Sequence, residues 1–373
     1  MTANKAGADG ARPTGGETAH QFRYPNFDWL RIAAATAVLF SHSFLLAQGT
    51  EANEPWRQLT GTILGIYGVC VFFVISGFLI TRSAFNSGTL RSFTLARVLR
   101  IYPALAACAA LTSFGLGLAF TSMEPARFLA DLIPLKHTIK TILHPGTPYD
   151  LASVQFYPDA RNMGRTFNGS LWTIPQELAC YVIVGLLFAL RLLRWPVMAL
   201  LLLLTLPALS LWNADAAPEP ISNFLLVAAS FFAGALVFFV WRRQQRLPVW
   251  PLLPCAALLG LAIATDQSFG LFPLYGAYPL LMLATARRWS LPDLKGFGDI
   301  SYGMYLYGWP VQQTLVALAG GVGAISWHAL FALSTFVAAL LGYASWHLLE
   351  KRALRWKPQP SQRPVRQAAA EQG

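Results

Sequence analysis

Charge is what this 373-residue chain has least of: 12% of its residues are Asp, Glu, Lys or Arg, against about a quarter in a typical soluble domain. That shortfall excludes an ordinary water-soluble globule, whose surface needs charge to stay hydrated. Acidic residues are the scarcer sign, 17 against 28 basic. The net charge of +11 that results does not form the basic, aromatic-laced face of a nucleic-acid binder, because the basic residues sit in short segments between alternate apolar runs. No nucleic acid is expected. The four cysteines, Cys70, Cys108, Cys180 and Cys255, stand singly, without CxxC spacing or a neighbouring His. This excludes a zinc tetrahedron, so no metal is expected; the cysteines read as small apolar core residues. The chain also lacks internal repeats and the paired broken helices of many transporters. Its first 25 residues contain no apolar signal core and are expected to form a disordered tail.

What the chain does contain is apolar sequence, 55% of it, in runs of about 20 residues, the length that crosses a bilayer as a helix. The runs lie near 27–47, 60–81, 98–120, 169–190, 195–212, 221–241, 249–265, 269–286, 299–318 and 324–349. The expected fold is therefore all-α and polytopic, with about ten transmembrane helices. Within the polar connection 121–168, the stretch 126–143 is expected to lie at the interface as an amphipathic segment. With the N-terminus inside, the inner connections and tails hold 21 Lys and Arg and the outer ones six, so both termini are expected in the cytoplasm. The Pro- and Gln-rich residues 353–373 read as a second solvated tail.

An ionisable residue inside a span is expensive unless it faces a partner or a wet cavity. Arg31 and His42, eleven residues apart in the first span, are within roughly 20° of the same helix face and about 16 Å apart along its axis. Arg31 near the inner mouth suits a phosphate-bearing donor, and a neutral His42 deeper in the membrane suits removal of a proton from a hydroxyl. Snorkelling by Arg31 and a helix–helix hydrogen bond by His42 are the alternative. Glu177, counted from the outer start of its span, reaches about the depth of His42, so a His–Glu pair is geometrically allowed. The alternative is a structural carboxyl serving backbone freed by Pro175.

Arg97 and Arg100, three apart at the inner start of their span, share a face and extend a donor site or serve as ordinary inner-side charge. Ser76-Gly77 reads as close helix packing rather than as a nucleophile, since no G-x-S-x-G elbow surrounds it. Tyr305, Tyr307 and Trp309 read as an interfacial aromatic belt or a sugar platform, and Glu350-Lys351-Arg352 as an interfacial ion pair.

Taken in order, Arg31-x10-His42, FFVISGFL at 72–79, RVLRIYP at 97–103, SLWTIPQE at 170–177, ISYGMYLYGWP at 300–310 and HLLEKRAL at 347–354 resemble the integral membrane acyltransferases of acyltransferase family 3. The resemblance covers roughly residues 25–355 and makes 26–352 a transmembrane acyltransferase domain. It implies transfer of an acyl group, usually acetyl, from cytoplasmic acetyl-CoA to a hydroxyl of a cell-surface polysaccharide or other glycoside, in a bacterial inner membrane. It also implies His42 as the base and Arg31, Arg97 and Arg100 at the donor; the geometrically allowed pair makes Glu177 the carboxylate that orients this base. Many relatives carry a His where this chain has Gly308-Trp309, which removes a second catalytic His from that motif. Some also append an extracytoplasmic hydrolase-like domain that has no counterpart here, so the membrane unit alone is expected to complete the transfer. A transporter or flippase of a glycan or acylated metabolite is the alternative function.

Overall fold

The structure, a computed structural model, describes residues 24–146, 150–151, 153–158, 163–206, 219–294 and 296–357. Of the two tails expected from the sequence, residues 1–23 and 358–373 lie outside these residues, while 24–25 and 353–357 are described. The apolar runs fold as helices, and among the described residues the β-type pairings are two isolated bridges, Thr121–Val154 and Asp150–Thr166. The principal helices are α1 Asn26–Gln48, α2 Leu64–Ser87, α3 Leu90–Phe120, α4 Ile133–Leu143, α5 Gly169–Ala189, α6 Trp195–Thr205, α7 Glu219–Gln244, α8 Leu252–Ala264, α9 Ala277–Thr285, α10 Ser301–Ala319 and α11 Trp327–Trp356. Local chemistry sets several ends. The Thr89 hydroxyl accepts from Ser92 N–H (3.2 Å) before α3, Gly320 turns left-handed (φ 106°) after α10, and Ser326 caps α11 by accepting from Ala329 N–H (3.3 Å).

Six helices, α1, α2, α3, α5, α7 and α11, are long and apolar enough to cross a membrane. The remaining expected spans take other forms. α6 and α8 are apolar but have 11 and 13 residues, and the sequence between α6 and α7 lies outside the described residues. The run 269–286 breaks at Gly276 into Phe272–Tyr275 and α9. α10 has 19 residues, but its buried Ser301, Gln312 and Gln313 make it less apolar.

Lipid rather than water suits the outer surface. Leu203, Leu204, Leu253, Ile263, Phe336 and Leu340 are each more than half exposed, an apolar spread that a soluble monomer does not carry. The interfacial segment expected at 126–143 forms as a short helix, Pro125–Ala130, and α4, parted at Leu132 with φ 53°. α4 buries His137, Thr138 and Thr141 and exposes Leu135, Ile139 and Leu143. Lys136 and Lys140 are exposed on the same helix, so its outward side mixes apolar and basic residues, as an amphipathic segment at a membrane surface does.

α2 runs between α1 and α7, and α10 packs on α1 and α11. A Cβ on Gly77 would stand 1.9 Å from the Phe231 carbonyl oxygen, and one on Gly234 would stand 2.1 Å from that of Val74. The α2–α7 crossing therefore requires glycine on both sides, as small-residue packing of membrane helices does. Arg242 lies over the Phe85 ring, and Arg100 bonds Glu350. These contacts gather the end of α2, the start of α3 and the ends of α7 and α11 at one basic end of the bundle, and the candidate site opens there.

Candidate active site

A cavity of about 410 Å³ lies between α1, α2, α3, α5 and α10, with the last residues of α11 on its rim. Arg31, Arg97, Arg100 and Glu177 all line it, so four of the five residues singled out from the sequence converge on one space. Arg31 enters from α1, Arg97 and Arg100 from successive turns of α3, and Glu177 from the first turns of α5. Ser76 and Arg82 of α2, Tyr181 of α5, Tyr302 and Tyr305 of α10, and Lys357 complete the polar wall.

The cations fall into two groups. Arg31 bonds Asp299 at 3.1 Å and Asp28 at 3.4 Å, and Arg100 bonds Asp299 at 2.5 Å and Glu350 at 3.1 Å. Asp299 is thus clamped between two guanidinium groups, and the Ser301 hydroxyl also donates to it (2.6 Å). Glu350 is fully buried and accepts from Ser345 as well (3.1 Å). Arg82, Arg97 and Lys357 form no ion pair among the described residues. Arg97 donates to the Ser83 hydroxyl (3.2 Å) and leaves its Nε buried without a partner; Arg82 lies against the Trp241 ring. Positive charge without an ion-pair partner therefore stands at the basic mouth, where it can meet an anionic ligand.

Glu177 accepts from the Ser76 hydroxyl (3.0 Å) and from the Tyr181 hydroxyl. His42 lies elsewhere. It does not line the cavity; its ring meets Trp309 edge-on, 4.8 Å between centroids, and no protein hydrogen bond holds it among the described residues. The structure does not bring His42 and Glu177 into contact. What links His42 to the cavity is α10. Tyr305 lines the cavity, and Trp309 is one turn further along the same face, about 6 Å away. The Tyr305 hydroxyl donates to Ser170 O (2.6 Å) and shares a hydrogen bond with Thr173 (2.7 Å). Trp309 Nε1 donates to Thr166 O (3.0 Å).

Sequence reasoning missed several of these groups. Tyr305, Tyr307 and Trp309 are all buried, so they form no lipid-facing belt. Glu350 pairs with Arg100 in the interior, and not with its exposed neighbours Lys351 and Arg352. Asp299, Arg82, Tyr181 and Lys357 were not singled out; the signal available for Tyr181 was its position one turn after Glu177 on the same face. The packing reading of Ser76-Gly77 holds for both: Gly77 lets α7 approach, and Ser76 bonds a neighbouring helix through Glu177. Among the described residues no group of His, Cys, Asp and Glu is placed to hold a metal ion.

The chain matches the Acyltransferase domain family over residues 24–347. It is similar to the O-acetyl transferase of Shigella phage Sf6, 29% identical over 340 residues that cover 88% of this chain and 95% of the relative. It is likewise similar to nodulation protein 10 of Rhizobium leguminosarum bv. viciae, 29% identical over 358 residues, 88% of this chain and 93% of the relative. No solved structure matches it.

Proposed function

We propose, from the premise that this chain belongs to the acyltransferase family it matches over residues 24–347, that it carries an acetyl group from cytoplasmic acetyl-CoA to a hydroxyl of a cell-surface polysaccharide or other glycoside. The coarser statement stands on the family and the relatives: the protein is a membrane O-acyltransferase with several spans. The finer one rests on a single observation. Arg82, Arg97 and Lys357, without ion-pair partners, line a cavity whose inner wall lies one helical turn from the tryptophan that touches His42.

In this reading the basic end is cytoplasmic, both termini lie there, and α6, α8, α9 and α10 bring the crossings to about ten. The donor enters at the basic mouth. Its phosphates meet Arg97, while Arg31 and Arg100, fixed by Asp299 and Glu350, shape the floor. The arm bearing the thioester runs past Tyr305 toward His42, roughly 16 Å from Arg31 along α1. The acceptor hydroxyl arrives from the opposite side. His42 removes its proton as the oxygen attacks the thioester carbonyl, and the C–S bond breaks. The imidazolium then returns the proton to the departing thiolate. Glu177 is a donor-side residue that fixes Ser76 and Tyr181 and sets a negative charge near Arg97. An orienting role on His42 requires movement of α5 relative to α1.

The test is acyl-CoA-dependent labelling of envelope glycans in a strain lacking the protein, complemented with wild type or His42→Ala at matched membrane levels. Labelling that appears with wild type and disappears with His42→Ala is the expected outcome. Unchanged glycan acylation in the deletion strain, together with a metabolite that no longer crosses the membrane, replaces this reading with the transporter.

A further inference from the structure

We propose that Lys357 is a donor-selectivity residue, which reads the 3′-phosphate at the far end of coenzyme A from the basic mouth of the cavity. This rests on the donor reading above and deepens it.

The family match ends at residue 347, but the wall of the cavity does not: Leu354 and Lys357 both line it. The stretch that carries them is anchored. Glu350 is drawn inward by Arg100 (3.1 Å) and Ser345 (3.1 Å), in a π-helical turn over Trp346–Glu350. A short helical turn, Lys351–Ala353, and a 3-10 turn, Leu354–Trp356, follow and pack against α3. Lys357, itself exposed, follows this stretch directly and lines the cavity.

The charge nearest it is of its own sign. Lys357 forms no ion pair among the described residues. Partial burial, and then the neighbouring Arg97, lower the pKa of its ammonium group. The charged group beside it is Arg97, which forms no ion pair among the described residues; Arg82 lines the same cavity, the carboxylate Glu177 that also lines it is taken by the Ser76 and Tyr181 hydroxyls, and Asp299, Asp28 and Glu350 are engaged by Arg31 and Arg100. Like charges held together without a counter-charge repel, and a bound anion relieves that repulsion. Lys is a compact point charge suited to a phosphate monoester, whereas the planar guanidinium of Arg97 suits two oxygens at once.

Order along the cavity assigns the phosphates. The thioester must lie at the His42 end, so the opposite end of the donor lies at the mouth. In coenzyme A the pyrophosphate follows the pantetheine arm, and the 3′-phosphate lies beyond it on the ribose. Arg97 then meets the pyrophosphate and Lys357 the terminal monoester.

The experiment uses the full-length protein in lipid nanodiscs and measures binding of CoA and dephospho-CoA by calorimetry without acceptor, for wild type, Lys357→Ala, Lys357→Arg and the surface control Lys351→Ala. Expected is weaker binding of CoA to Lys357→Ala by about tenfold, within what a hydrogen bond between charged groups supplies. Dephospho-CoA affinity should stay unchanged, and discrimination should be retained in Lys357→Arg and Lys351→Ala. Equal losses for both ligands, or wild-type discrimination surviving in Lys357→Ala, overturn the proposal. Absence of CoA binding to wild type overturns it together with the donor reading. CoA binding with 3′-phosphate preference but no glycan labelling removes the acyl-transfer reading alone.

Discussion

Arg100 holds two carboxylates at once, and one of them, Glu350, has a side chain only 1% exposed. Removing one partner of such a group leaves an uncompensated buried charge, which costs about 3–5 kcal/mol. Arg100→Met is therefore expected to lower the thermal midpoint of the purified protein sharply, read by unfolding in detergent. Arg97→Met, which abandons no carboxylate, should unfold near the wild-type temperature yet lose CoA affinity. The difference between the two separates a structural arginine from a ligand-facing one, although in the sequence they are three residues apart and look alike. Arg31, Arg97, Arg100 and Glu177 were legible because charge inside an apolar run is costly and so stands out. Asp299 and Glu350 were not, because a charge at the end of a run looks solvated until packing buries it. The His42–Glu177 pair failed for another reason. Depth was counted from residue 169 as though it lay at the surface, whereas Phe167 and Asn168 are already buried and Asn168 donates to Leu306 O (2.8 Å). The connection before α5 is packed inside the protein, and Glu177 is held by the Ser76 and Tyr181 hydroxyls rather than by His42.

Among the elements, α2 carries the most constraint, with α1 on one side and α7 on the other. At Gly77 the obstacle is backbone, the Phe231 carbonyl oxygen 1.9 Å from a built Cβ, so no rotamer change can make room. Gly77→Val is expected to destabilise by at least the roughly 1–3 kcal/mol typical of overpacking, seen as a lost or early-melting monodisperse peak in size-exclusion chromatography. The exposed Leu204→Val on α6 should leave the peak unchanged. The long helices were readable because an apolar run of sufficient length has one main solution in lipid. The run 269–286 reads from hydropathy as one continuous helix because the average passes over Gly276, where the structure parts it into Phe272–Tyr275 and α9. α4 was readable as a helix within the stretch 126–143, but which of its side chains turn outward follows from its packing, which composition alone does not specify.

At the scale of the whole molecule the cavity is lined by cations at the basic end, and His42 touches Trp309, one helical turn beyond the Tyr305 that lines its wall. A thioester donor confined to the cytoplasm and an acceptor outside it can meet only if that basic end faces inward. The native thiols provide a silent background for testing this, since Cys70, Cys108, Cys180 and Cys255 are all buried. Gln58→Cys, in the exposed connection between α1 and α2, and Arg91→Cys, exposed at the start of α3, place one reactive thiol at each end. In intact cells with the outer membrane made permeable, a membrane-impermeant maleimide should label Gln58→Cys directly and Arg91→Cys only after lysis, with wild type unlabelled. The reverse pattern would put the arginine cavity outside, beyond the reach of cytoplasmic acyl-CoA, and the donor assignment would fall even with every residue in place. Labelling as expected puts the arginine cavity on the cytoplasmic side, within reach of a cytoplasmic donor, with His42 roughly 16 Å from Arg31 along α1 toward the opposite face.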